Sequence, residues 1–277
     1  MTEKNTNTLS GPERLKSFED NWQTEMGAWF PGERVVLRGK DVFTELNNHS
    51  WMEYMLFAIT GKENTQLARL IEGIWLISSS FPDPRLWNNR VAALAGTARS
   101  TGLLAVTAGL AVSEATTYGL QPIYGAIDFL NRAKNSLENN ESIESVVKAE
   151  LKKYRNIYGY GRPITSKDER VEPLLQFAKS LGIDNGPFLD LALEIGEYLS
   201  NSKYKFKINI AGIDAGIAAD QGLTSREFYY LATLSFVAGM FPCYIDSVNK
   251  PEGSFFPLAV DRIKVKEPMA TRVWRTE

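Results

Sequence analysis

The sequence carries one clear strand signal, and nearly everything after it has the periodicity of helices. Residues 34–43, RVVLRGKDVF, place apolar residues on both sides of a turn that contains Gly39, which is typical of a short hairpin. Beyond this segment, apolar residues recur mainly at spacings of three and four, which is typical of amphipathic helices. The sequence therefore predicts an all-α protein with one short N-terminal β-hairpin.

Local signals predict several helix boundaries. Ser50 and Glu53 form a capping box, because the serine can accept from the third amide of the helix while the glutamate reaches back, so a helix is expected from about Trp51 to Gly61. The segment Phe81-Pro82-Asp83-Pro84 should end the helix that is expected near 64–79, because proline has no amide hydrogen to donate. Further helical patterns are expected near 64–79, 122–132, 143–154, 174–181, 188–199, 211–219 and 225–248.

The stretch from about residue 86 to 117 is unusually rich in alanine and glycine. Small side chains leave little to keep helices apart, so close contact between helices is the natural use of this stretch. Two interpretations remain open, a buried core and a subunit interface. We expect a homodimer that buries the helices around Ala92 to Ala111.

The composition excludes several classes of protein. Apolar residues make up 44% of the 277 positions, enough for a sizeable core, and the net charge of −2 gives no basic excess for nucleic acid or an anionic membrane. Cys243 is the only cysteine, which fits a cytoplasmic location. No run of 18 apolar residues occurs, so no membrane-spanning helix is expected.

The chain contains a single histidine, His49. Most zinc sites and most acid–base enzymes that use imidazole need more than one. A histidine-based triad and a multi-histidine metal site are therefore excluded, and no metal is expected. His49 precedes a helix cap, where an ordinary surface role is the simplest interpretation.

Several segments, in order along the chain, resemble the citrate synthase superfamily, and above all short citryl-CoA lyases and the C-terminal module of ATP-citrate lyase. The GYGR and DERV segments resemble the family's "GxGHR…DxRV", and NIAG resembles its "NVDG". The matching segments are LRGKDV (37–42), SWMEYML (50–56), YGAID (124–128), GYGR (159–162), DERV (168–171), NIAG (209–212) and the closing region 236–260.

The resemblance implies a helical homodimer that makes or breaks a carbon–carbon bond next to a coenzyme A thioester. In that family a carboxylate removes a proton from the acyl group, histidines stabilise the enolate and polarise the keto acid, and arginines bind the substrate carboxylates. Position by position, most of these groups are missing. The "GxGHR" histidine falls on Arg162, the "NVDG" carboxylate on Ala211, and the remaining histidine on Asn88 or Asn89.

Three residues are candidates for altered catalysis. Asn88 could donate to an oxyanion in place of imidazole, or simply make a polar contact at a helix start. Arg162 could meet a coenzyme A phosphate or the thioester oxygen, or remain a solvated loop residue. Asp214 lies three residues after Ala211, roughly on the same helix face, and could serve as a displaced base.

Three further residues are candidates for substrate binding. Arg170 is the arginine of the DxRV motif, whereas the arginine of the family's late helix falls near Gly239. The guanidinium of Arg170 could bind a substrate carboxylate through two parallel donors. The alternative is an ordinary ion pair at the protein surface. Tyr160 could pack on an adenine ring or only on its neighbours, and Gly161 belongs to the glycine loop that would border a ligand cleft.

Three functions are compatible with these residues. The first is an enzyme that acts on a coenzyme A thioester and a carboxylic acid with altered active-site residues; standard citrate synthase activity is not expected. The second is a catalytically inactive homologue that binds a ligand or a partner subunit, and the third is a purely structural or regulatory subunit. No tightly bound cofactor is expected, and a coenzyme A thioester is the candidate substrate.

The resemblance also suggests how the chain is divided. We expect residues 1–30 to form a tail that is at least partly disordered and residues 31–277 to form the citrate synthase-like domain. A small subdomain is expected at roughly 130–205.

Overall fold

The computed structural model describes residues 10–21, 23–78, 81–162 and 167–263. The contacts between residues divide the chain into two compact units, one ending at Glu72 and the other beginning at Gly73. The predicted N-terminal tail lies partly outside the described ranges, and the predicted domain boundaries stay a prediction.

The first unit combines a small antiparallel sheet with helices. Its elements are α1 (Gly11–Ser17), β1 (Gly27–Phe30), β2 (Arg34–Leu37), β3 (Lys40–Asp41), α2 (Trp51–Thr60) and the first part of α3 (Thr65–Ser78). The strand order is β1-β2-β3, with Ala28 opposite Val36 and Leu37 opposite Lys40. The predicted hairpin is confirmed, and β1 adds a third strand whose four residues carry no alternating pattern.

Helix α2 begins and ends where the local signals place it. The Ser50 hydroxyl accepts from the amide of Glu53 at 3.2 Å, and the Glu53 carboxylate accepts from the amide of Ser50 at 2.7 Å. Gly61 ends the helix with a φ of 74°, a left-handed conformation that glycine adopts without steric cost. The predicted capping box is therefore confirmed.

The regular elements of the second unit are helices among its described residues, apart from one isolated β-bridge between Tyr160 and Ile208. Its elements are the end of α3, α4 (Trp87–Thr97), α5 (Gly102–Ser113), α6 (Leu120–Glu138), α7 (Ile143–Tyr154), α8 (Val171–Ser180), α9 (Pro187–Asn201), α10 (Ile210–Asp220), α11 (Ser225–Thr233), α12 (Val237–Val248) and short 3₁₀ turns at Leu234–Phe236 and Val260–Arg262. The all-α prediction is confirmed, because packing of apolar stripes selects the helices that periodicity indicates.

The alanine- and glycine-rich helices α4 and α5 pack against each other and against α12. A Cβ atom on Gly96 would lie 2.7 Å from the carbonyl oxygen of Tyr244, and one on Gly109 would lie 2.6 Å from the sulfur of Met240. These glycines therefore allow close packing within the chain. Part of the alanine- and glycine-rich stretch from 86 to 117 therefore packs in the core, which is one of the two uses that the sequence suggests.

Helix α10 packs between α6 and α9 and is buried over nearly its whole length. Gly216 faces α9 so closely that a Cβ atom would lie 2.8 Å from the Cα atom of Leu189. Asp214 is the one acidic side chain in the middle of this helix, and it is 2% exposed. A buried carboxyl on a central helix is costly unless it is neutral or paired, which directs attention to its surroundings.

One stretch, Ser225–Val248, is long and apolar enough to cross a membrane by length and composition alone. It comprises α11, a 3₁₀ turn and α12, and 44% of its most apolar window is buried inside the fold. Core helices of globular proteins pass the same test, so this finding is weak support for a membrane span.

Candidate functional site

The glycine loop at 159–161 is held against the chain segment that leads into α10. The amide of Gly161 donates to the carbonyl of Lys207 at 2.7 Å, and the amide of Asn209 donates to the carbonyl of Gly159 at 3.0 Å. Gly159 has a φ of 93°, and a Cβ atom there would lie 2.9 Å from the Cα atom of Gly212. Only glycine fits both the conformation and the approach, so the GYGR and NIAG motifs meet in space.

The start of α10 is closed by side chains. Asn209 accepts from the amide of Ala211 at 3.0 Å and donates to the carbonyl of Gly161 at 2.8 Å. The carboxylate of Asp168 accepts from the amide of Ile210 at 2.9 Å. Two of the amides in the first turn of α10 are therefore satisfied within the chain, at the position where the family resemblance would place a catalytic carboxylate.

Asp168 and Arg170 form a buried ion pair. The Nε and Nη2 atoms of Arg170 each donate to one oxygen of Asp168 at 2.8 Å, and the Asp168 side chain is 0% exposed. Burial alone would raise the pKa of Asp168, but the hydrogen bonds and charge of Arg170 and the amide of Ile210 outweigh it and lower that pKa. Asp168 is therefore ionised, and the Nε and Nη2 donors of Arg170 are already used by its carboxylate.

Arg162 lies at the edge of this pair. Its Nη1 atom donates to the carboxylate of Glu169 at 2.7 Å and to the carbonyl of Lys167 at 2.9 Å. The same atom is 3.7 Å from Asp168. Glu169 is largely exposed, so its ion pair with Arg162 contributes little to stability.

The fully buried end of the cluster is Asp214. The hydroxyl of Ser78, the last residue of α3, donates to Asp214 Oδ1 at 3.2 Å, and the carbonyl of Ser78 accepts from Arg170 Nη1 at 3.3 Å. Burial raises the pKa of Asp214 to about 8, although the charge of Arg170 and the hydrogen bond from Ser78 act against the shift. Asp214 is therefore mainly neutral at pH 7.

We refer to Ser78, Arg162, Asp168, Arg170 and Asp214 as the α10 cluster. It unites three of the predicted site residues, Arg162, Arg170 and Asp214. Sequence reasoning missed Asp168, although its place in the DERV motif, two residues before Arg170, was a usable signal. Ser78 had no local signal at all, because it is 136 residues away from Asp214 in the chain.

The predicted oxyanion donor Asn88 lies in the first turn of α4 and is fully buried. It accepts a hydrogen bond from the hydroxyl of Tyr118 at 3.3 Å. The neighbouring Asn89 donates to the carbonyls of Phe81 and Asp83 and so holds the turn before α4. A catalytic role for Asn88 stays a prediction.

Tyr160 and Gly161, the other predicted binding residues, have clear packing roles. The Tyr160 ring is buried edge-to-face against Phe129, and its hydroxyl donates to the carbonyl of Ala192 at 2.9 Å. Burial raises the pKa of Tyr160. Gly161 lies beside the ring of Phe206, in the loop that is hydrogen-bonded to the segment before α10. Their contact with a ligand stays a prediction.

The remaining candidate groups lie in unremarkable surroundings. His49 is 3.4 Å from the carboxylate of Glu63 in the first unit. Cys243 is buried, which raises the pKa of its thiol. In the ranges that the structure covers, no group of three or more histidine, cysteine, aspartate or glutamate residues could hold a metal ion.

No protein-family profile matches the sequence, and a search of curated proteins gives no significant match. The fold, by contrast, is similar to solved structures. Citryl-CoA lyase from Hydrogenobacter thermophilus superposes with a TM-score of 0.75 at 19% identity, over 92% of this chain and 98% of that one. Citrate synthase from Thermotoga maritima MSB8 has a TM-score of 0.62 at 18% identity, over 83% of this chain and 62% of that one.

ATP citrate lyase from Methanosaeta concilii, solved in complex with (3S)-citryl-CoA, has a TM-score of 0.74 at 20% identity. The similarity covers 95% of this chain but only 45% of that one, so the chain spans less than half of the larger protein. The chain thus has the helical fold shared by citryl-CoA lyases, citrate synthases and this part of ATP citrate lyase. That finding confirms the fold behind the resemblance read from the sequence.

Proposed function

We propose that this protein acts on a coenzyme A thioester and a carboxylic acid by forming or breaking a carbon–carbon bond, with Asp214 as its acid–base group. The observation that carries the proposal is the position of the Asp214 carboxyl, which is 2% exposed on α10 and shares Ser78 as a hydrogen-bond partner with Arg170. Burial raises the pKa of this carboxyl to about 8. An acid–base group is most effective when its pKa lies near the working pH. Perturbed carboxyl groups of this kind cluster at functional sites.

The position of Asp214 supports the same role. It follows Ala211, the position of the family's carboxylate, by one turn of α10. An offset of three residues keeps two side chains on roughly the same helix face. Asp214 is therefore a candidate to take a proton from the carbon next to the thioester in one direction and to return it in the other.

The two arginines of the α10 cluster supply positive charge for anionic substrates. The guanidinium of Arg170 has five N–H groups. Within the described residues, three of them donate to Asp168 and to the carbonyl of Ser78, and the other two could donate to a ligand. Arg162 can leave its exposed partner Glu169. A substrate carboxylate or a coenzyme A phosphate suits such donors. The proposal includes a cytoplasmic location and requires no metal or bound cofactor.

A second candidate function is ligand binding without turnover. The observation that favours it is closure of the site: Asp214 is 2% exposed, and both arginines are engaged in ion pairs. A thermal-shift screen with coenzyme A, acetyl-CoA, citrate and oxaloacetate addresses binding alone. A ligand present at a hundredfold excess over its Kd should stabilise the protein by about 2.7 kcal/mol.

The test that separates the two candidates follows proton exchange in the acyl group. Acetyl-CoA is incubated in deuterated water with the wild-type protein, with Asp214→Asn and with Asp190→Asn, a matched control because Asp190 is an exposed carboxylate on α9. Asp214→Asn should slow deuterium uptake by roughly 10²–10⁴-fold, the usual contribution of an acid–base group. The control should exchange like the wild type. A bound ligand with no exchange in the wild type would favour binding without turnover.

Purified protein should show no appreciable citrate synthase activity with acetyl-CoA and oxaloacetate. The chain has one histidine, His49, and alanine at position 211, so the family's usual acid–base groups are missing. A coupled assay of free thiol release measures this reaction. Turnover on the order of 10 per second, an ordinary enzyme rate, would show that other groups carry the standard reaction.

The proposal also includes a homodimer. Large apolar side chains on α4, α5 and α12 are exposed, including Leu94 at 45%, Leu103 at 76% and Ile245 at 52%. These helices pack together, and the proposal is that their exposed apolar groups lie on one face that association removes from water. A second copy of the chain suits this surface because a two-fold interface pairs the same patch with itself.

Light scattering should give about twice the chain mass of 31.0 kDa. Leu103→Glu should shift the protein toward the monomer, because it places a charge in the proposed contact. Leu193→Glu on α9, where the leucine is 39% exposed, is the matched control and should leave the mass unchanged. A wild-type monomer at micromolar concentration would contradict the dimer.

A further inference from the structure

Asp168 has more contacts than an ion pair requires. Its Oδ1 atom accepts from the Nε atom of Arg170 at 2.8 Å and from the backbone amide of the same residue at 3.2 Å. Its Oδ2 atom accepts from the Nη2 atom of Arg170 at 2.8 Å and from the amide of Ile210 at 2.9 Å. An ionised carboxylate has about four acceptor positions, so these contacts fill all of them. Asp168 therefore has no position left for a substrate or for a transferred proton.

The same contacts join Arg170 to the helix that carries Asp214. Ile210 is the first residue of α10, so one carboxylate binds both the arginine and the start of that helix. On the other side of the guanidinium, Nη1 donates to the carbonyl of Ser78 at 3.3 Å. Because a guanidinium is planar and rigid, these three side-chain bonds fix the direction of its two remaining N–H groups. Asp168 thus sets the orientation of the Arg170 donors relative to α10.

A second pair in the chain has the same spacing and shows what burial adds. Asp83 and Arg85 also lie two residues apart, and the carboxylate of Asp83 accepts from the amide, Nε and Nη2 of Arg85. The Arg85 side chain is 82% exposed, whereas that of Arg170 is 21% exposed. Exposed ion pairs contribute little to stability. The spacing alone therefore forms such a pair, whereas burial and the additional partners fix the pair at Asp168.

We infer that Asp168 is a positioning residue, which holds the guanidinium of Arg170 in one orientation so that its remaining N–H groups are already aligned for a carboxylate of the ligand. Asp168 acts through Arg170 and does not itself contact the ligand. A long side chain that is ordered before binding loses less entropy on binding, which strengthens the complex. The orientation of Arg170 follows from the contacts of Asp168, whereas its use in binding a carboxylate rests on the proposed function.

The first experiment measures the order of arginine side chains by NMR in the full chain without ligand. With isotope-labelled arginine, the Nε–H signal of Arg170 is assigned by its absence from Arg170→Lys. This proton should exchange with water at least about tenfold more slowly than that of Arg85, since a buried charge-assisted bond protects it. Asp168→Asn should remove most of this protection, and the matched control Asp83→Asn should leave it unchanged. Equal exchange of Arg170 in the wild type and Asp168→Asn would overturn the inference.

Asp168→Asn should retain the fold, because α10 has a second cap. The side chain of Asn209 accepts from the amide of Ala211 at 3.0 Å. The spectrum of the backbone amides checks the fold in the same sample. If Asp168→Asn unfolds, Asp168→Glu replaces it in the same measurement, since the longer side chain keeps the charge and moves the carboxylate away from its present contacts.

A double-mutant cycle tests whether Asp168 acts through Arg170. The wild type, Asp168→Glu, Arg170→Lys and the double variant all keep both charges, so differences in their affinity for citrate, measured by calorimetry, report geometry rather than net charge. Asp168→Glu should raise the Kd roughly 3–10-fold, the usual cost of ordering one long side chain. In the Arg170→Lys background it should cause no further loss.

Additive losses in this cycle would overturn the inference, because a purely structural role of Asp168 would weaken binding equally in both backgrounds. A wild-type protein that binds no citrate would count against the proposed function. The exchange of the Arg170 Nε–H would still decide the positioning role, since that measurement uses no ligand. Failure of the proposed function and failure of the inference are therefore distinguishable.

Discussion

Asp214→Asn should make the protein more stable than the wild type at pH 8, and the advantage should shrink as the pH falls toward 4. Burial raises the pKa of Asp214 from 3.8 to about 8 in the folded protein, so the folded chain holds a proton that the unfolded chain releases above about pH 4. Stability from this group is fully present below pH 4 and is lost as the pH rises toward 8. Asparagine resembles the neutral carboxyl in shape and does not titrate, so the variant avoids this loss.

The expected difference is on the order of 3–5 kcal/mol at pH 8, with a slope of about 1.4 kcal/mol per pH unit below it. Urea unfolding of both proteins at one fixed protein concentration, at intervals from pH 4.5 to 8, measures it. The slope of the difference is decisive, because all other groups titrate alike in both proteins and any packing cost of asparagine is independent of pH. Parallel stability curves would contradict burial of a neutral Asp214.

Arg170→Ala should destabilise the protein by about 3–5 kcal/mol, since it leaves the ionised Asp168 buried without its partner. The lower end of this range is the more realistic, because the Arg170 side chain is 21% exposed and water can enter the space left behind. The stability of Arg170→Lys should lie between that of the wild type and that of Arg170→Ala, since lysine keeps the charge but cannot reproduce two parallel donors. Urea unfolding at pH 7 measures both variants.

Two controls separate the buried pair from general effects of losing an arginine. Arg162→Ala removes a neighbouring arginine whose partner Glu169 is exposed, and should cost at most about 1 kcal/mol. Asp168→Asn in the Arg170→Ala background should recover part of the loss, because the unpaired charge is gone. An Arg170→Ala variant as stable as the wild type would show that Asp168 is neutral or solvated. Arg170 would then be a free ligand-binding group, as the sequence alone suggests.

Some features of this protein follow from local sequence. The capping box of Ser50 and Glu53 starts α2, and Gly61 ends it, because these signals act through bonds within one turn of the chain. The hairpin around Gly39 has the same local origin. The shortage of histidine is a matter of composition, so no fold could supply the family's imidazoles.

The state of the candidate site was decided by tertiary structure. The pKa of Asp214 depends on burial inside the second unit, and no sequence pattern reports how completely α10 is enclosed. Arg170 was predictable as a special residue, and the DERV motif places Asp168 two residues away. The burial of their pair was not predictable, because it depends on how α10 and the end of α3 pack against it. Ser78 reaches Asp214 across 136 residues of chain. Such a contact costs entropy that only the packed helices repay, so it exists in the fold and leaves no trace in local sequence.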